Sequence, residues 1–180
     1  FEPVPPFRER FQKNMDANTI RNTELQPYCI SNRQEETTIY LADNNNLGMS
    51  GMQRPENDSG KRIKASAISL DAWLQLNSLP RINFIKIDIE GAEKNALEGM
   101  QNTLQNYQPV LLLEIIASRL AQFGSTPEAI YTTLFQYRYQ AYEIINAHTL
   151  KKIKTVKEGY DILFLPEGYH LPGDINVMPD

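Results

Sequence analysis

The sequence has few of the residues that form disulfides and transition-metal sites. Among 180 residues there is one cysteine, Cys29, and there are two histidines, His148 and His170, both near the C-terminus. A single cysteine excludes a disulfide within the chain and is typical of proteins in a reducing compartment. We therefore expect a cytoplasmic protein. The scattered ligands also predict no metal site built from cysteine and histidine.

An excess of one charge and long apolar runs are lacking as well. Eighteen basic residues face 22 acidic ones, which gives a formal net charge of −4. Nucleic-acid-binding domains usually carry a basic stripe, so no nucleic-acid partner is expected. No apolar run approaches the roughly 20 residues that cross a bilayer, so no membrane partner is expected either. The four clustered lysines are predicted to form the solvated face of a hairpin: Lys151, Lys152, Lys154 and Lys157.

One stretch, residues 81–93, reads as a strand, a loop and the start of a helix. Isoleucine occupies positions 85, 87 and 89, and side chains alternate between the two faces of a strand. Asp88 and Glu90 follow where the apolar run ends, and Gly91 permits a tight turn. In open α/β sheets, ligands bind outside the carboxyl ends of the strands. The two carboxylates are therefore placed where a site is expected.

A second strand is predicted at Val110–Leu113, a continuous apolar run of the kind found in strands buried on both faces. Glu114 ends this run. A right-handed strand–helix–strand connection would make the 84–89 and 110–113 strands parallel neighbours. We therefore expect Asp88, Glu90 and Glu114 to gather along one edge of the sheet.

The remaining pattern completes an α/β domain of residues 1–166 with a C-terminal tail, 167–180. Pro5 and Pro6 suit the first turn of a helix, and apolar residues recur along residues 92–104 at helical spacing. A long loop rich in Asn, Gly and Ser covers residues 43–61. Further strands are predicted at 28–30, 37–41, 62–68, 141–145 and 160–165, the last two joined by the basic turn into an antiparallel hairpin.

Three blocks in order resemble FkbM-type methyltransferases. The first is Phe1-Glu2-Pro3 with Asn14 and Asn18, the second is residues 86–93 with 97–99, and the third is residues 109–114. The resemblance covers roughly residues 1–166. It implies a Rossmann-like class I methyltransferase fold, with a doubly wound, mostly parallel sheet and an antiparallel edge hairpin.

The resemblance also implies a chemistry and roles for individual residues. The implied reaction is O-methylation, with S-adenosylmethionine as methyl donor and a small-molecule or glycan hydroxyl as acceptor. Glu2 would accept hydrogen bonds from the adenosine ribose, and Ser31 would lie near the adenine. Asp88 would be the catalytic base, with Lys86 and Glu114 as further catalytic residues, and Glu90 would hold the acceptor. The long loop at 43–61 would lie at the mouth of the site. No metal is expected.

The family's first strand and Gly-rich loop have no counterpart ahead of Phe1. We therefore expect the chain to be part of a longer protein, with a strand edge that promotes pairing between copies, so that a homodimer is possible. Two other functions stay open. Asp88 and Glu90 could hold Mg²⁺ in a phosphohydrolase, or the domain could be a non-catalytic binding module.

Overall fold

The structure is a computed structural model that describes residues 1–42, 50–54, 58–77, 79 and 81–178. Much of the predicted loop at 43–61 therefore lies outside the described residues. The helices are α1 Pro5–Ala17, α2 Leu70–Leu76, α3 Glu93–Glu98, α4 Gln101–Asn106, α5 Ala117–Gln122 and α6 Pro127–Gln136. The strands are β1 Tyr28–Ile30, β2 Glu35–Ala42, β3 Asp58–Ile68, β4 Phe84–Ile87, β5 Val110–Ile115, β6 Tyr139–Asn146, β7 Thr149–Ile153, β8 Gly159–Pro166 and β9 Asn176–Met178.

Two separately hydrogen-bonded sheets form the framework. The first has the order β1-β3-β2, and the second has the order β4-β5-β8-β6-β7-β9. In the first sheet β1 runs parallel to β3, and β2 and β3 form a long antiparallel pair. The largest core cluster lies between the six-stranded sheet and the helices, and it includes Leu97, Leu104, Leu111, Leu113, Ile130, Leu134 and Phe164.

The predicted pairing of the two central strands is confirmed. β4 and β5 are parallel neighbours, with Phe84 opposite Val110 and Ile87 opposite Leu113. The alternation along β4 is also as predicted, because Ile87 is buried while Phe84 on the other face is 54% exposed. Possible pairing between copies of the chain stays a prediction.

The six-stranded sheet is mixed, whereas the sequence predicted a mostly parallel one. β4–β5 and β7–β9 are parallel, but β5–β8, β8–β6 and β6–β7 are antiparallel. For β6 and β7 the reason is connection length. A parallel neighbour needs a crossover of a dozen or more residues, and only residues 147 and 148 separate β6 from β7. β4, β5 and β6 therefore point in the same direction, and β8, β7 and β9 point in the opposite one.

The predicted antiparallel pairing of residues 141–145 with 160–165 is confirmed, because β6 and β8 are antiparallel neighbours. The predicted direct hairpin connection between them is wrong, because β7, which contains Lys151 and Lys152, lies between them along the chain and pairs with the other edge of β6. The helix predicted over 92–104 is divided into α3 and α4 at Gly99. A Cβ on Gly99 would lie 2.0 Å from the Ser31 carbonyl oxygen, so the backbone there packs directly on the segment after β1.

The ends of the chain hold further elements. Pro5 and Pro6 begin α1 as predicted, and β9, within the predicted tail, pairs with β7. Among the described residues, no helix combines the length and apolar character that crossing a bilayer requires.

Candidate functional site

The site is organised by the loop between β4 and α3. Glu90 and Gly91 both have positive φ angles, 59° and 103°, which turn the chain sharply after Asp88. Glu93 fixes this turn: its Oε1 accepts the N–H groups of Ile89 and Gly91, each at 3.2 Å. Glu93 is only 2% exposed, and burial raises the pKa of its carboxyl group. Glu93 therefore shapes the loop that presents Asp88 and Glu90.

Three carboxylates converge at this end of the sheet, as the sequence predicted. One oxygen from each of Asp88, Glu90 and Glu114 lies within 4.8 Å of the others. We call these three residues the carboxylate cluster. Asp88 is exposed, Glu90 is half-buried, and Glu114 lies on β5 with its side chain 12% exposed. Parallel pairing of β4 with β5 brings them together.

Arg119 bridges two members of the cluster, and sequence reasoning missed it. Its Nη1 lies 2.9 Å from Glu90 Oε2 and also donates a short hydrogen bond to Glu114 Oε2. Arg119 is on α5, five residues after Glu114, so the only sequence signal was a cation soon after a carboxylate. The contact with Glu90 is tertiary and has no local pattern.

The remaining cation at the cluster is Lys86, whose side chain is half exposed. Its Nζ lies 3.5 Å from Asp88 Oδ2 and 3.8 Å from Asp161 Oδ1. Two cations therefore balance part of the cluster's negative charge, with Arg119 on the buried side and Lys86 on the exposed side. A guanidinium between two of the carboxylates supplies the neutralisation that a divalent cation would provide, so the arrangement does not favour the phosphohydrolase.

Burial and the positive charge of Arg119 have opposite effects on the pKa of Glu90. Burial raises the pKa of Glu90 to about 7, although Arg119 acts in the opposite direction, and Glu114, Asp88 and Glu93 add to the rise. Burial likewise raises the pKa of Glu114, again opposed by Arg119. The cluster therefore holds a carboxyl group that changes its charge near neutral pH.

A pH-dependent contribution of Glu90 to stability follows from this shift. Because the pKa of Glu90 is about 7 in the folded protein and 4.5 for an unperturbed glutamate, the folded state binds more protons than the unfolded state between these pH values. Its contribution to stability is present below about pH 4.5 and is lost as the pH rises through about 7. Glu90→Gln stays neutral, so its free energy of unfolding relative to wild type should rise between pH 5 and 7.5, by at most about 3 kcal/mol. Urea unfolding at several pH values measures this difference, and a flat difference would contradict it.

A cleft of about 210 Å³ connects the cluster to the start of the chain. Its lining includes Glu2, Asp88 and Glu90, with apolar walls from Phe7, Tyr28 and Ile39. Three carboxylates that the sequence singled out are thereby brought onto one surface, Glu2 from the start of the chain and Asp88 and Glu90 from the loop after β4.

The described part of the long loop also reaches this cleft. Ser50, Gly51 and Met52 are among its lining residues, and Gly51 pairs with Tyr40 of β2. A Cβ on Gly51 would lie 3.3 Å from Glu90 Cβ, so the loop backbone packs on the side chain of Glu90. The expected position of this loop at the mouth of the site agrees with these contacts.

Glu2 and Ser31 differ in their access to the cleft. Glu2 Oε1 accepts the Val4 N–H at 2.8 Å, and the Glu2 N–H donates to the Gln26 carbonyl at 2.9 Å. Ser31 is 3% exposed, and its carbonyl faces Gly99 and not the cleft lining. The roles of both residues toward a cofactor stay predictions.

Comparison with known proteins identifies the family. Residues 1–141, more than half of the chain, match the Methyltransferase FkbM domain. The chain belongs to the FkbM methyltransferase family. This FkbM domain is 27% identical over 112 residues to the hexuronic acid methyltransferase AglP of Haloferax volcanii, a match that covers 62% of the chain and 44% of AglP.

A solved structure supports the fold. The chain resembles the crystal structure of methyltransferase FkbM from Methylobacillus flagellatus KT, with a TM-score of 0.53 and 14% sequence identity. The likeness covers 91% of this chain and 35% of that protein. The FkbM domain described here therefore spans less than half the length of the relatives it matches.

Proposed function

We propose that the FkbM domain is part of an S-adenosylmethionine-dependent O-methyltransferase that acts on a hydroxyl of a sugar or a related secondary metabolite. The observation that carries the proposal is the cleft that joins Glu2 to Asp88 and Glu90. Its two ends differ in chemistry, since one combines a single carboxylate with apolar walls and the other is rich in carboxylates. Such a pair of ends suits a nucleoside donor on one side and a hydroxylated acceptor on the other.

The Glu2 end fits adenosine. Carboxylate oxygens are acceptors only, with about four lone-pair sites between them, and one hydrogen bond to Val4 leaves capacity for two ribose hydroxyls. Tyr28 and Ile39 beside it offer the apolar surface that a nucleobase needs. S-adenosylmethionine, when bound, would supply an electrophilic methyl group. Ser31 stays a candidate contact for the adenine.

The carboxylate cluster fits a neutral, hydroxylated acceptor. Asp88 is the exposed carboxylate at the cleft and is assigned as the base that takes the proton from the reacting hydroxyl. Lys86, 3.5 Å away, offsets its negative charge. Glu90 and Glu114 are assigned to hold other hydroxyls of the acceptor, because ionised carboxylates accept hydrogen bonds from several donors at once.

The class of acceptor also draws on a relative. AglP is by name a hexuronic acid methyltransferase, which favours sugars over nucleic acids or proteins as acceptors. A hexuronic acid offers both hydroxyl and carboxylate oxygens. With the three carboxylates at the cluster opposed by Arg119 and Lys86, the local charge is negative and favours a hydroxyl as the methylated group.

An assay with labelled methyl donor tests the function. The full-length protein is incubated with labelled S-adenosylmethionine and a panel of neutral glycosides, hexuronic acids, protein and RNA. Label on sugar oxygens that survives mild alkali is expected, because methyl ethers resist alkali and methyl esters do not. Alkali-labile label would overturn the hydroxyl acceptor. Absence of cofactor binding by calorimetry would favour the non-catalytic binding module.

Replacing Glu2 should weaken binding of the methyl donor. In Glu2→Ala the ribose hydroxyls lose their acceptor, and an unpaired group of this kind costs about 1–3 kcal/mol. The dissociation constant of S-adenosylmethionine should therefore rise roughly tenfold or more. Calorimetric titration of the full-length protein measures the change. Glu24→Ala removes a carboxylate from the exposed segment nearby and serves as control. Equal affinities in wild type and Glu2→Ala would remove Glu2 from the donor site.

A further inference from the structure

Arg119 joins side chains from two different parts of the site. Glu90 is on the loop after β4, and Glu114 is on β5, yet both contact the same Nη1 of Arg119. All three side chains are largely shielded, with 24% of Arg119, 18% of Glu90 and 12% of Glu114 exposed. An ion pair with this little exposure is screened by solvent far less than the surface pairs of the chain.

The position of Arg119 is fixed by its own backbone as well as by its charge. A Cβ on Gly91 would lie 2.5 Å from the Arg119 carbonyl oxygen and 3.1 Å from Arg119 Cβ. The first turn of α5 therefore packs directly against the loop that carries Glu90. Since Glu93 also accepts two N–H groups of the same loop, the guanidinium and the Glu90 carboxylate are placed by several contacts of the loop.

Burial disfavours the charged forms of Glu90 and Glu114, charge repulsion adds to this effect, and Arg119 opposes both. The negative charges of Glu114, Asp88 and Glu93 disfavour ionisation of Glu90. The positive charge of Arg119 favours it. The negative charge of Asp88 disfavours ionisation of Glu114, whereas the positive charges of Arg119 and Lys86 favour it. Carboxylates that share a partly buried site retain their protons unless a cation offsets the repulsion. A protonated carboxyl group would donate a hydrogen bond and lose part of its capacity to accept one from an acceptor hydroxyl.

We propose that Arg119 is a positioning residue of the acceptor site, whose guanidinium favours the ionised forms of the Glu90 and Glu114 carboxylates and fixes their orientation. The part of this inference that concerns the acceptor rests on the proposed function. The part that concerns ionisation rests only on the contacts of the protein itself, so the two can be tested apart.

The ionisation is tested on the protein alone, without donor or acceptor. The side-chain carboxyl carbons of glutamate are labelled with ¹³C and titrated by NMR in wild type, Arg119→Met and Arg119→Lys. The titration midpoint of Glu90 should rise by roughly one unit or more in Arg119→Met, because loss of a neighbouring cation removes a shift of 1–3 units. Arg119→Lys keeps the charge and should give an intermediate midpoint. Arg138→Met, which breaks the exposed pair with Glu167, is the matched control and should leave the midpoint unchanged.

Turnover tests the positioning. With the glycoside that accepts label, Arg119→Met should raise the KM for that acceptor about tenfold or more, while the dissociation constant of S-adenosylmethionine stays at the wild-type value. The acidic limb of the pH–rate profile should move to higher pH together with the NMR midpoint. Arg119→Lys should recover the pH profile in part but not the KM, because a single ammonium cannot reproduce the fork of a guanidinium.

The outcomes separate the two proposals. An unchanged Glu90 midpoint in folded Arg119→Met would overturn the role of Arg119 in ionisation, whatever the activity. A raised midpoint in a protein that methylates nothing in the panel would support the effect of Arg119 on ionisation and count against the methyltransferase. If Arg119→Met does not fold, Arg119→Gln, which is also neutral, takes its place in the titration. A wild-type midpoint in Arg119→Gln, or a wild-type KM in Arg119→Lys, would contradict the inference.

Discussion

Asp88→Asn should lower the turnover number about a hundredfold or more, which is the usual lower bound for the contribution of a positioned general base. The amide keeps the size and shape of the side chain but cannot take a proton from the acceptor. Affinity for S-adenosylmethionine should change little, because Asp88 lies at the carboxylate cluster and Glu2 at the opposite end of the cleft. Single-turnover kinetics and calorimetry on the same preparation measure the two quantities.

A matched control separates loss of the base from a general loss of charge. Asp174→Asn neutralises an exposed aspartate that pairs with His148 far along the chain from the site, and it should keep wild-type turnover. Full turnover in a folded Asp88→Asn variant would show that Asp88 is not the base. Glu114, or orientation of the reactants alone, would then have to account for the rate.

Gly91→Ala should be the most destabilising single substitution proposed for this protein. Two costs combine at this position. The φ angle of 103° is one that side-chain-bearing residues rarely adopt, and the new Cβ would lie 2.5 Å from the Arg119 carbonyl oxygen. Backbone strain contributes about 1–3 kcal/mol, and overpacking against backbone typically adds 1–3 kcal/mol. The free energy of unfolding should therefore fall by roughly 2–6 kcal/mol, as measured by urea denaturation.

Gly124→Ala distinguishes the two costs of Gly91→Ala. Gly124 also has a positive φ, 69°, but a Cβ there would meet nothing within 4 Å. Its substitution should cost only the backbone strain and leave the site intact. If the two variants lose equal stability, the close approach between Gly91 and Arg119 contributes nothing, and the proposed placement of α5 on the loop is wrong.

The central half of the fold could be predicted because its signals are local. Alternating isoleucines in β4, the apolar run of β5 and the carboxylates after them predict two parallel strands and a polar edge, and the structure has all three. The C-terminal half could not be predicted as well. The adjacent residues Lys151 and Lys152 interrupt the alternation of polar and apolar residues that indicates a strand. β7 forms nevertheless, because β6 and β9 pair with it on its two sides.

The candidate site was predictable only in part for the same reason. Asp88 and Glu90 follow β4, and Glu114 lies near the carboxyl end of β5, so a topological rule locates them. Arg119 contacts Glu90 only because α5 packs on the turn at Gly91, a tertiary contact that leaves no periodic signal. The division of the helix at Gly99 is equally tertiary, since the Ser31 carbonyl lies where a side chain would have to be.

The cleft is lined by residues from two sheets, and the hydrophobic core beside one sheet is much smaller than the core beside the other. Val4, beside Glu2, packs in a small cluster with Cys29, Ile39 and Ala67, whereas the β4–β5 strands belong to the large core. Parts of a protein with fewer buried apolar contacts open at lower free energy than the rest. On heating, the segment around Glu2 should separate from the β4 loop while the six-stranded sheet is still intact. Catalytic competence would then disappear several degrees below the midpoint of global melting, and cooling before that midpoint would restore it.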